Sequence, residues 1–516
     1  MIQIFLSKDE YEYEIHSLVK AFYIEEQIKV YKPSFIDGVS SKDQGNSLEI
    51  YIEFEDTIIK VKAVQNGTEL YPNIKFDLTE QNNCQKEDVS ISPVYYTRES
   101  GGANIKYDRN QLKRTLYSCL SYLTGKKLPW GTLTGVRPAK IAFEKLERNF
   151  SDADIRTYMS EQYLCSDEKI NVSLQVAKRE IALLQEMDYQ KGYSIYIGIP
   201  FCPSTCLYCS FTSYSLERYG NSIELYLDAL YKEITYAGTC GLNKKLTTIY
   251  LGGGTPTTLT AHQLNQLLSH IEATFDFTFV LEYTVEAGRP DSITADKLKV
   301  LKNHGVTRIS INPQTMSQYT LDLIGRKHSV GQVIDTFHMA RDFGHDNINM
   351  DMIIGLPGEK IADVAHTLAE INKLKPDSLT VHTLAIKRAA RLNIQKEDYQ
   401  DMVPTDTLDM LKLTWDYAKS ANYLPYYLYR QKNMADNLEN IGYAQYGKEG
   451  LYNILIMEEK QSILALGAGA LSKFVFHEEN RIERVENVKS LKDYIERIDE
   501  MIERKRIFLE ENSQYL

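Results

Sequence analysis

The sequence predicts an α/β protein built around a partial barrel of six βα units. An α+β domain precedes the barrel and a mostly helical extension follows it. Between about residues 193 and 384, short apolar, β-branched runs alternate with segments whose apolar residues recur at helical spacing. This alternation is typical of a parallel sheet covered by helices. Motifs follow five of the six runs, at the rim where parallel barrels carry their functional residues.

The first 185 residues or so are expected to form a separate unit. Strand-like alternation at 47–55 and 57–64 precedes mostly helical sequence after Gln111. No catalytic constellation stands out there, and the Thr-Gly-Val-Arg-Pro run at 134–138 is interpreted as a turn and a helix start. The expected domains are 1–185 (accessory), 186–390 (barrel) and 391–516 (covering the substrate).

Six strands are predicted in the barrel, at residues 194–199, 247–251, 279–285, 308–311, 349–354 and 378–383. Helices are predicted between them, for example at 261–275, 295–304 and 330–343. The carboxyl ends of parallel strands share one rim, so motifs that follow the strands should meet there. In chain order these motifs are the loop at 202–209, the Gly-Gly-Gly-Thr-Pro run at 252–256, Glu286, residues 312–314 and the Gly-Leu-Pro-Gly run at 355–358.

After about residue 386 the pattern changes to helices and a tyrosine-rich segment. A Gly-Ala-Gly run at 467–469 and a charged helix over about 488–509 complete this extension.

Composition excludes several classes of protein. With 516 residues, 43% of them apolar, the chain is long enough for two or three ordinary cores. Its opening residues lack the basic start and apolar stretch of a signal peptide, and no later run is long enough to span a bilayer. A net charge of −11 argues against a large nucleic-acid footprint. We therefore expect a cytoplasmic monomer that neither crosses a membrane nor binds nucleic acid.

Three cysteines lie close together after the first predicted strand, with the spacing Cys-x3-Cys-x2-Cys: Cys202, Cys206 and Cys209. A cubane iron–sulfur cluster normally takes four thiolates, so this loop would leave one iron open to an outside ligand. Zinc is the competing metal, but structural zinc sites close with four ligands, and no second cysteine or histidine pair follows. Three clustered cysteines cannot all pair as disulfides. The spacing therefore favours an iron–sulfur cluster.

This spacing resembles that of the radical SAM superfamily. The resemblance implies a [4Fe–4S] cluster and S-adenosylmethionine, which binds the open iron through its amino and carboxylate groups. One electron from the cluster then cleaves this cofactor to methionine and a 5′-deoxyadenosyl radical. A single-electron donor such as flavodoxin or ferredoxin is needed as a partner.

Other residues near the predicted strand ends suit a polar cofactor. The glycines at 252–254 let the backbone approach a ligand closely. Glu286 can accept hydrogen bonds from ribose hydroxyls or an amine, or else pair with Arg289 at the surface. Arg326 suits a carboxylate. Asp351 lies in an apolar run and, if buried, needs a cofactor hydroxyl or Arg326 as partner. Two further arginines are interpreted as solvent-facing: Arg308 and Arg341.

A longer series of motifs, from about Tyr196 to about Leu471, resembles the oxygen-independent coproporphyrinogen III oxidases, also called coproporphyrinogen dehydrogenases. It comprises Tyr-Ile-Gly-Ile-Pro-Phe-Cys, Gly-Gly-Gly-Thr-Pro, Arg-Ile-Ser-Ile-Asn-Pro-Gln-Thr, Gly-Arg and Asp-Met-Ile-Ile-Gly-Leu-Pro, in matching order and spacing. The resemblance implies a second cofactor molecule beside the first. Four residues would contact the cluster-bound molecule: Tyr196, Gly253, Glu286 and Leu471. Seven would line its neighbour: Tyr208, Gly254, Thr255, Gln314, Arg326, Asp351 and Ala385.

Segments 128–138, 429–434 and 437–440 resemble the long branch of this family from anaerobic and facultative Gram-positive bacteria, which carries an extra N-terminal domain. The resemblance implies decarboxylation of coproporphyrinogen III propionates to vinyl groups, giving protoporphyrinogen IX. The radical would take a hydrogen atom that ordinary acid–base catalysis cannot reach, so the cofactor carries the difficult step.

One position departs from the dehydrogenases, which carry a fourth cysteine where this chain has Phe211. Phenylalanine there is typical of the haem chaperone branch. That branch usually shows a His-Asn-x-x-Tyr-Trp segment, which this chain lacks. The enzyme is therefore preferred over a haem chaperone, and an enzyme acting on another tetrapyrrole is a third alternative.

The tetrapyrrole's propionates require cations near the strand ends, and two or three of six candidates are expected to touch it: Arg289, Lys387, Arg388, Arg391, Arg430 and Lys432. Four tyrosines would pack either on the tetrapyrrole or in the core: Tyr423, Tyr426, Tyr427 and Tyr429.

Overall fold

The computed structural model describes most of the chain. The described residues are 1–8, 10–24, 26–32, 47–55, 58–77, 109–211, 213–240, 242, 244–385, 402, 406–430 and 437–512. Contacts divide the chain into two units. One comprises Met1–Leu174 with Arg430–Leu438, and the other comprises Gln175–Tyr429 with Glu439–Leu516.

The first unit contains a mixed sheet, with five strands among the described residues in the order β2-β1-β3-β4-β5. Its strands are β1 (Ile2–Leu6), β2 (Ile28–Tyr31), β3 (Leu48–Glu55), β4 (Ile58–Gln65) and β5 (Thr68–Asp77). Its helices are α1 (Glu12–Phe22), α2 (Arg109–Thr124), α3 (Lys140–Glu147), α4 (Asp152–Tyr163) and α5 (Asp167–Met187), the last of which runs into the second unit. Apolar residues of β1, β3, β4, α1 and α2 form one buried core. The α+β prediction for this region is therefore confirmed.

Two of the segments that resemble the long family branch contact each other in this first unit. The Arg430 guanidinium donates to the Leu133 carbonyl at 2.6 Å and lies 5.9 Å from the Trp130 ring centroid. The Arg430 backbone N–H donates to the Val136 carbonyl at 2.8 Å. Arg430 is 3% exposed. It therefore contacts the 128–138 segment, and its expected role as one of the substrate cations stays a prediction.

The second unit contains the predicted parallel sheet. The six predicted strands are present as β6 (Gly192–Ile199), β9 (Lys245–Gly253), β10 (Glu282–Glu286), β11 (Arg308–Ser310), β12 (Ile348–Ile354) and β13 (Ser378–Thr383). They pair in parallel and in chain order. A short parallel pair follows β6: β7 (Phe201–Cys202) and β8 (Tyr214–Ser215).

Helices connect these strands. They are α6 (Leu216–Tyr219), α7 (Ile223–Thr239), α8 (Ala261–Thr274), α9 (Ala295–Asn303), α10 (Gln318–Leu323), α11 (Val330–Asp342) and α12 (Ile361–Leu374). Two of them begin with capping boxes, in which a side-chain hydroxyl and a glutamine satisfy backbone N–H groups reciprocally. In α8 these residues are Thr260 and Gln263, and in α11 they are Ser329 and Gln332.

The C-terminal extension contains strands in addition to the expected helices. Its described helices are α13 (Thr407–Ser420), α14 (Leu451–Glu458), α15 (Leu491–Glu496) and α16 (Ile498–Glu511). Its described strands, which the sequence analysis missed, are β14 (Leu424–Tyr429), β15 (Asn440–Ala444), β16 (Ser462–Leu466), β17 (Leu471–Phe476) and β18 (Arg481–Glu486). The charged helix expected over 488–509 is divided into α15 and α16.

These strands extend the barrel sheet at both edges. In the described residues the order is β14-β15-β13-β12-β11-β10-β9-β6-β16-β17-β18. Strand β16 joins β6 in parallel, whereas β15 joins β13 antiparallel. The extension therefore shares one unit with the barrel, and the three-domain division at residues 185 and 390 stays a prediction from sequence. None of the helices in the described ranges has both the length and the apolar character that crossing a lipid bilayer requires.

Candidate active site

The predicted motifs meet at the carboxyl rim of the parallel strands, as expected. The cysteine loop begins with β7, immediately after β6, and the glycine run begins within β9. Glu286 is the last residue of β10, and Gln314 follows β11. Because parallel pairing aligns these strand ends, residues far apart in the chain lie around one opening.

The cysteine loop lies against the glycine run. Cys202 ends β7, and its Sγ lies 3.5 Å from the Thr255 Oγ1. Cys206 is 8% exposed, and its carbonyl accepts a hydrogen bond from the Cys209 N–H at 3.3 Å. Burial raises the pKa of the Cys209 thiol to about 11 and also raises that of Cys202. Binding of a metal would therefore release protons from these thiols.

A buried arginine holds the middle of this loop. Arg289, which follows β10, is 3% exposed. Its Nη1 donates to the Cys206 Sγ at 3.5 Å, and its Nη2 donates to the Ser204 Oγ at 3.1 Å. Asp291 accepts two hydrogen bonds from the same guanidinium, at 2.9 and 2.7 Å. Arg289 thus pairs with Asp291 and not with Glu286, so the alternative interpretation of Glu286 as a surface acid paired with Arg289 is wrong. Its place among the six candidate substrate cations stays a prediction.

The glycine run allows the close approach between β9 and the cysteine loop. The Gly254 N–H donates to the Ile199 carbonyl at 2.8 Å, and a Cβ added at Gly254 would lie 2.5 Å from the Phe201 carbonyl oxygen. Gly253 has a φ of 108°, which L side chains rarely adopt, and its added Cβ would lie 3.2 Å from the Tyr196 hydroxyl. The first strand end and the glycine run are therefore packed backbone to backbone.

A stack of tyrosines surrounds Glu286 inside the barrel. The ring centroids of Tyr196 and Tyr250 are 6.2 Å apart, and those of Tyr250 and Tyr452 are 4.4 Å apart. The Tyr250 hydroxyl donates to Glu286 Oε1 at 2.5 Å. Burial raises the pKa of Glu286 to about 7, although the Tyr250 hydrogen bond opposes this shift. The carboxyl group therefore sits near its midpoint of ionisation at neutral pH.

Two buried polar atoms at the rim have no hydrogen-bond partner among the described residues: Gln314 Oε1 and Arg326 Nε. Gln314 has a left-handed φ of 66°, yet its backbone pairs with Asp351 and Ile353 of β12. Arg326 Nη1 donates to the Asn312 carbonyl at 2.6 Å. Because buried polar atoms are normally satisfied, these two indicate room for a polar ligand. Together with the three thiols, they form a donor set that fits an iron–sulfur cluster and a cofactor rich in hydroxyl and carboxylate groups.

Asp351 has partners that the sequence analysis did not predict. Its Oδ2 lies 3.7 Å from His382 Nε2, and its Oδ1 accepts a hydrogen bond from Asn349 Nδ2 at 2.6 Å. Burial by itself would raise the pKa of Asp351, but these two partners keep it below its usual value. Of the two partners expected for Asp351, Arg326 is thus replaced by His382, and the cofactor hydroxyl stays a prediction.

The comparisons with known proteins decide the family. A model described as the radical SAM superfamily matches residues 196–371. The chain is 41% identical over 410 residues to the oxygen-independent coproporphyrinogen-III oxidase-like protein HemZ of Bacillus subtilis (strain 168), covering 79% of this chain and 82% of that protein. The chain belongs to this radical SAM family. Membership implies a [4Fe–4S] cluster and S-adenosylmethionine.

Relatives within this radical SAM family carry different functional names. The heme chaperone HemW of Bacillus subtilis (strain 168) is 30% identical over 310 residues, covering 60% of this chain and 76% of that protein. The oxygen-independent coproporphyrinogen III oxidase of Escherichia coli (strain K12) is 26% identical over 318 residues, covering 60% and 66%. The solved structure of Escherichia coli coproporphyrinogen III oxidase (HemN) aligns with 62% of this chain and 73% of its own, with a TM-score of 0.49 and 24% identity.

The remaining predicted site residues lie near the same rim. Tyr208 packs beside Leu207, Ile324 and Leu384, and Ala385 follows β13. Leu471 begins β17 and is 40% exposed. Its place near the rim follows from the pairing of Ile463 with Lys473, which puts Leu471 opposite the end of β16. In the described part of the chain, no three His, Cys, Asp or Glu side chains already form a metal-binding group. The roles of these residues in binding the cofactor, and of the cysteines in binding the cluster, therefore stay predictions.

Four of the predicted substrate cations lie outside the described residues: Lys387, Arg388, Arg391 and Lys432. The tyrosine-rich segment lies mainly in the core, since Tyr423, Tyr426 and Tyr427 are at most 5% exposed.

Sequence reasoning missed Tyr250, Tyr452 and His382, and it placed Arg308 in solvent. Arg308 is in fact 3% exposed and donates to Ser378 Oγ at 2.9 Å inside the sheet. The available signal was alternation along the strands, because Tyr250 lies three residues before the end of β9 and His382 lies one residue before the end of β13.

Proposed function

We propose that this radical SAM protein is an oxidoreductase that decarboxylates two propionates of coproporphyrinogen III to vinyl groups without oxygen, giving protoporphyrinogen IX. One observation carries the proposal: the three-cysteine loop, Glu286 and the unsatisfied atoms of Gln314 and Arg326 share one rim. The substrate is inferred from the names of the relatives, since kinship of fold does not choose a substrate.

In this proposal the three loop cysteines hold the cluster, and two cofactor molecules bind beside it. The cluster and S-adenosylmethionine together supply a one-electron route to breaking an unactivated C–H bond. Tyr196, Gly253, Glu286 and Leu471 contact the first molecule. The second is lined by Tyr208, Gly254, Thr255, Gln314, Arg326, Asp351 and Ala385.

In this proposal the protein's own side chains bind the cofactor and orient it. The Arg326 guanidinium pairs with a carboxylate, and Gln314 Oε1 accepts from a cofactor hydroxyl or amine, which would satisfy both unpartnered atoms. Ionised Glu286 accepts hydrogen bonds from an amine or from ribose hydroxyls. The partners are a tetrapyrrole substrate and a single-electron donor such as flavodoxin or ferredoxin.

A haem chaperone without dehydrogenase activity is the second candidate. Phe211 is the observation that favours it, since it stands two residues after Cys209 and is 70% exposed. The heme chaperones HemW of Bacillus subtilis and Lactococcus lactis are 30% and 31% identical to this chain. Action on a different tetrapyrrole is the third candidate, and it uses the same cofactor site.

The experiment is anaerobic turnover. Reconstituted protein is incubated with S-adenosylmethionine, a reductant and coproporphyrinogen III, and the products are identified by mass spectrometry. We expect carbon dioxide and protoporphyrinogen, formed through a monovinyl intermediate. Cofactor cleavage without loss of carbon dioxide would contradict the dehydrogenase, and tight haem binding with transfer to an acceptor would favour the chaperone.

A pair of cysteine variants tests the cluster separately. Cys206→Ala should abolish cluster assembly, measured as bound iron and visible absorption. Cys240→Ala is the matched control, because Cys240 follows α7 and is away from the loop. If Cys206→Ala retained a full cluster, the assignment of the metal ligands would be wrong.

A further inference from the structure

We propose that Arg289 and Asp291 form a positioning pair that tunes the reduction potential of the cluster through Cys206. The inference rests on the cluster ligation proposed above, but not on the substrate.

The geometry gives Arg289 access to the sulfur. Arg289 Nη1 lies 3.5 Å from Cys206 Sγ, and the same nitrogen lies 3.4 Å from the Ser204 carbonyl. Two residues near Cys206 in the loop also bond to residues 324 and 325. The Ser204 Oγ donates to the Gly325 carbonyl, and the Leu207 N–H donates to the Ile324 carbonyl. A ligand cysteine is thus fixed against a guanidinium whose own position is set by the end of β10.

The Arg289 guanidinium contacts both the Cys206 sulfur and the Asp291 carboxylate. Asp291 accepts hydrogen bonds from Arg289 Nε and Nη2, at 2.9 and 2.7 Å, whereas it is Nη1 that donates to Cys206. Arg289 and Asp291 side chains are 4% and 18% exposed, so water screens them weakly. His328 lies 3.9 Å from Asp291, but burial lowers its pKa to about 3, so it adds no charge at neutral pH.

Hydrogen bonds to the sulfur ligands and nearby charge are two of the factors that set the potential of an iron–sulfur cluster. A cation beside a ligand sulfur favours the reduced cluster, because reduction adds a negative charge. The carboxylate behind it opposes this effect. Removing Arg289 and removing Asp291 should therefore shift the potential in opposite directions, whereas a merely structural role would weaken the cluster in both variants.

The test compares Arg289→Gln, Asp291→Asn and the double variant with wild-type protein. Midpoint potentials are measured by anaerobic redox titration followed by electron paramagnetic resonance, with bound iron measured in parallel. At a fixed potential, we expect Arg289→Gln to lower the ratio of reduced to oxidised cluster about tenfold, or ~59 mV for a one-electron couple. Asp291→Asn should raise that ratio, and the double variant should fall between the two.

Arg341→Gln is the matched control, because Arg341 also pairs with an aspartate, Asp377, at 2.7 Å but lies near the C-terminal end of α11. It should leave the midpoint potential unchanged. Shifts of the same sign in both single variants, no shift in either, or loss of the cluster from both would overturn the inference. If only Arg289→Gln fails to bind a cluster, the midpoint potential of Asp291→Asn tests the inference. A potential above that of the wild type supports it, and a lower or unchanged potential overturns it.

These measurements need no tetrapyrrole. A protein that assembles its cluster but releases no carbon dioxide from coproporphyrinogen III would contradict the proposed function, and it would leave the potential measurements fully interpretable.

Discussion

At the scale of single residues, burial governs the chemistry of the rim. Glu286 was expected to be a carboxylate at a strand end, and its position is confirmed. Its pKa of about 7 was not predictable, because that value follows from burial beneath three tyrosines that come from separate elements. Arg308 and Arg289 show the same limit. Arg308 lies between Thr307 and Ile309, and Arg289 lies between Gly288 and Pro290, but only the tertiary structure shows that both side chains are buried.

The raised pKa of Glu286 predicts how stability depends on pH. The folded protein binds this proton more tightly than the unfolded chain does, so the contribution is fully present below about pH 4.5 and is lost as the pH rises to about 7. The loss relative to Glu286→Gln should be on the order of 3 kcal/mol. Urea unfolding of both proteins at pH 5 and pH 8 measures it. An equal difference between the two proteins at both pH values would contradict the assigned shift.

At the scale of elements, the six parallel strands were the most predictable features. The six parallel strands lie where alternation predicts them, because each needs an apolar run of a few residues and a turn signal. The five strands of the extension were missed. For example, β14 pairs with β15, which in turn pairs with β13, so the stability of these strands comes from neighbours that local sequence does not reveal.

The packing of the glycine run against β7 predicts the effect of a single methyl group. In Gly254→Ala, the new Cβ would lie 2.5 Å from the Phe201 carbonyl oxygen, so the backbone must shift. We expect a loss of about 1–3 kcal/mol of stability and weaker binding of S-adenosylmethionine, measured by urea unfolding and calorimetry of the reconstituted protein. Gly220→Ala is the control, because nothing lies within 4 Å of its added Cβ. Equal behaviour of the two variants would refute this packing argument.

At the scale of the second unit, a buried ion pair joins the last helix to the barrel. Lys505 of α16 and Glu233 of α7 are fully buried, with 2.7 Å between Nζ and Oε1. Glu233 also accepts hydrogen bonds from the Tyr494 hydroxyl, the Asn487 amide and the Gly467 N–H. Gly467 in turn follows β16, the strand beside β6. The network therefore ties the C-terminal helices to the first barrel strand.

Removing one partner of this pair leaves a buried charge without its counterion. Lys505→Met should therefore cost about 3–5 kcal/mol of the second unit's stability. Adding Glu233→Gln should recover part of the loss, since no buried charge then remains. Denaturant unfolding followed by tyrosine fluorescence measures both. Arg504→Ala, a surface change on the same helix, should have little effect, and a comparable loss in that variant would show that the buried pair is not the cause.

The sequence by itself determined the cysteine loop, the parallel strands and the meeting of their motifs at one rim, because strand periodicity and residue spacing are local properties. It also carried the resemblance to the radical SAM family that the comparisons confirm. Only the tertiary structure decided which polar groups lie against each other: Arg289 with Cys206, His382 with Asp351, and Lys505 with Glu233. Each of these pairs joins residues from different elements, and their proximity depends on how the whole sheet and its helices pack.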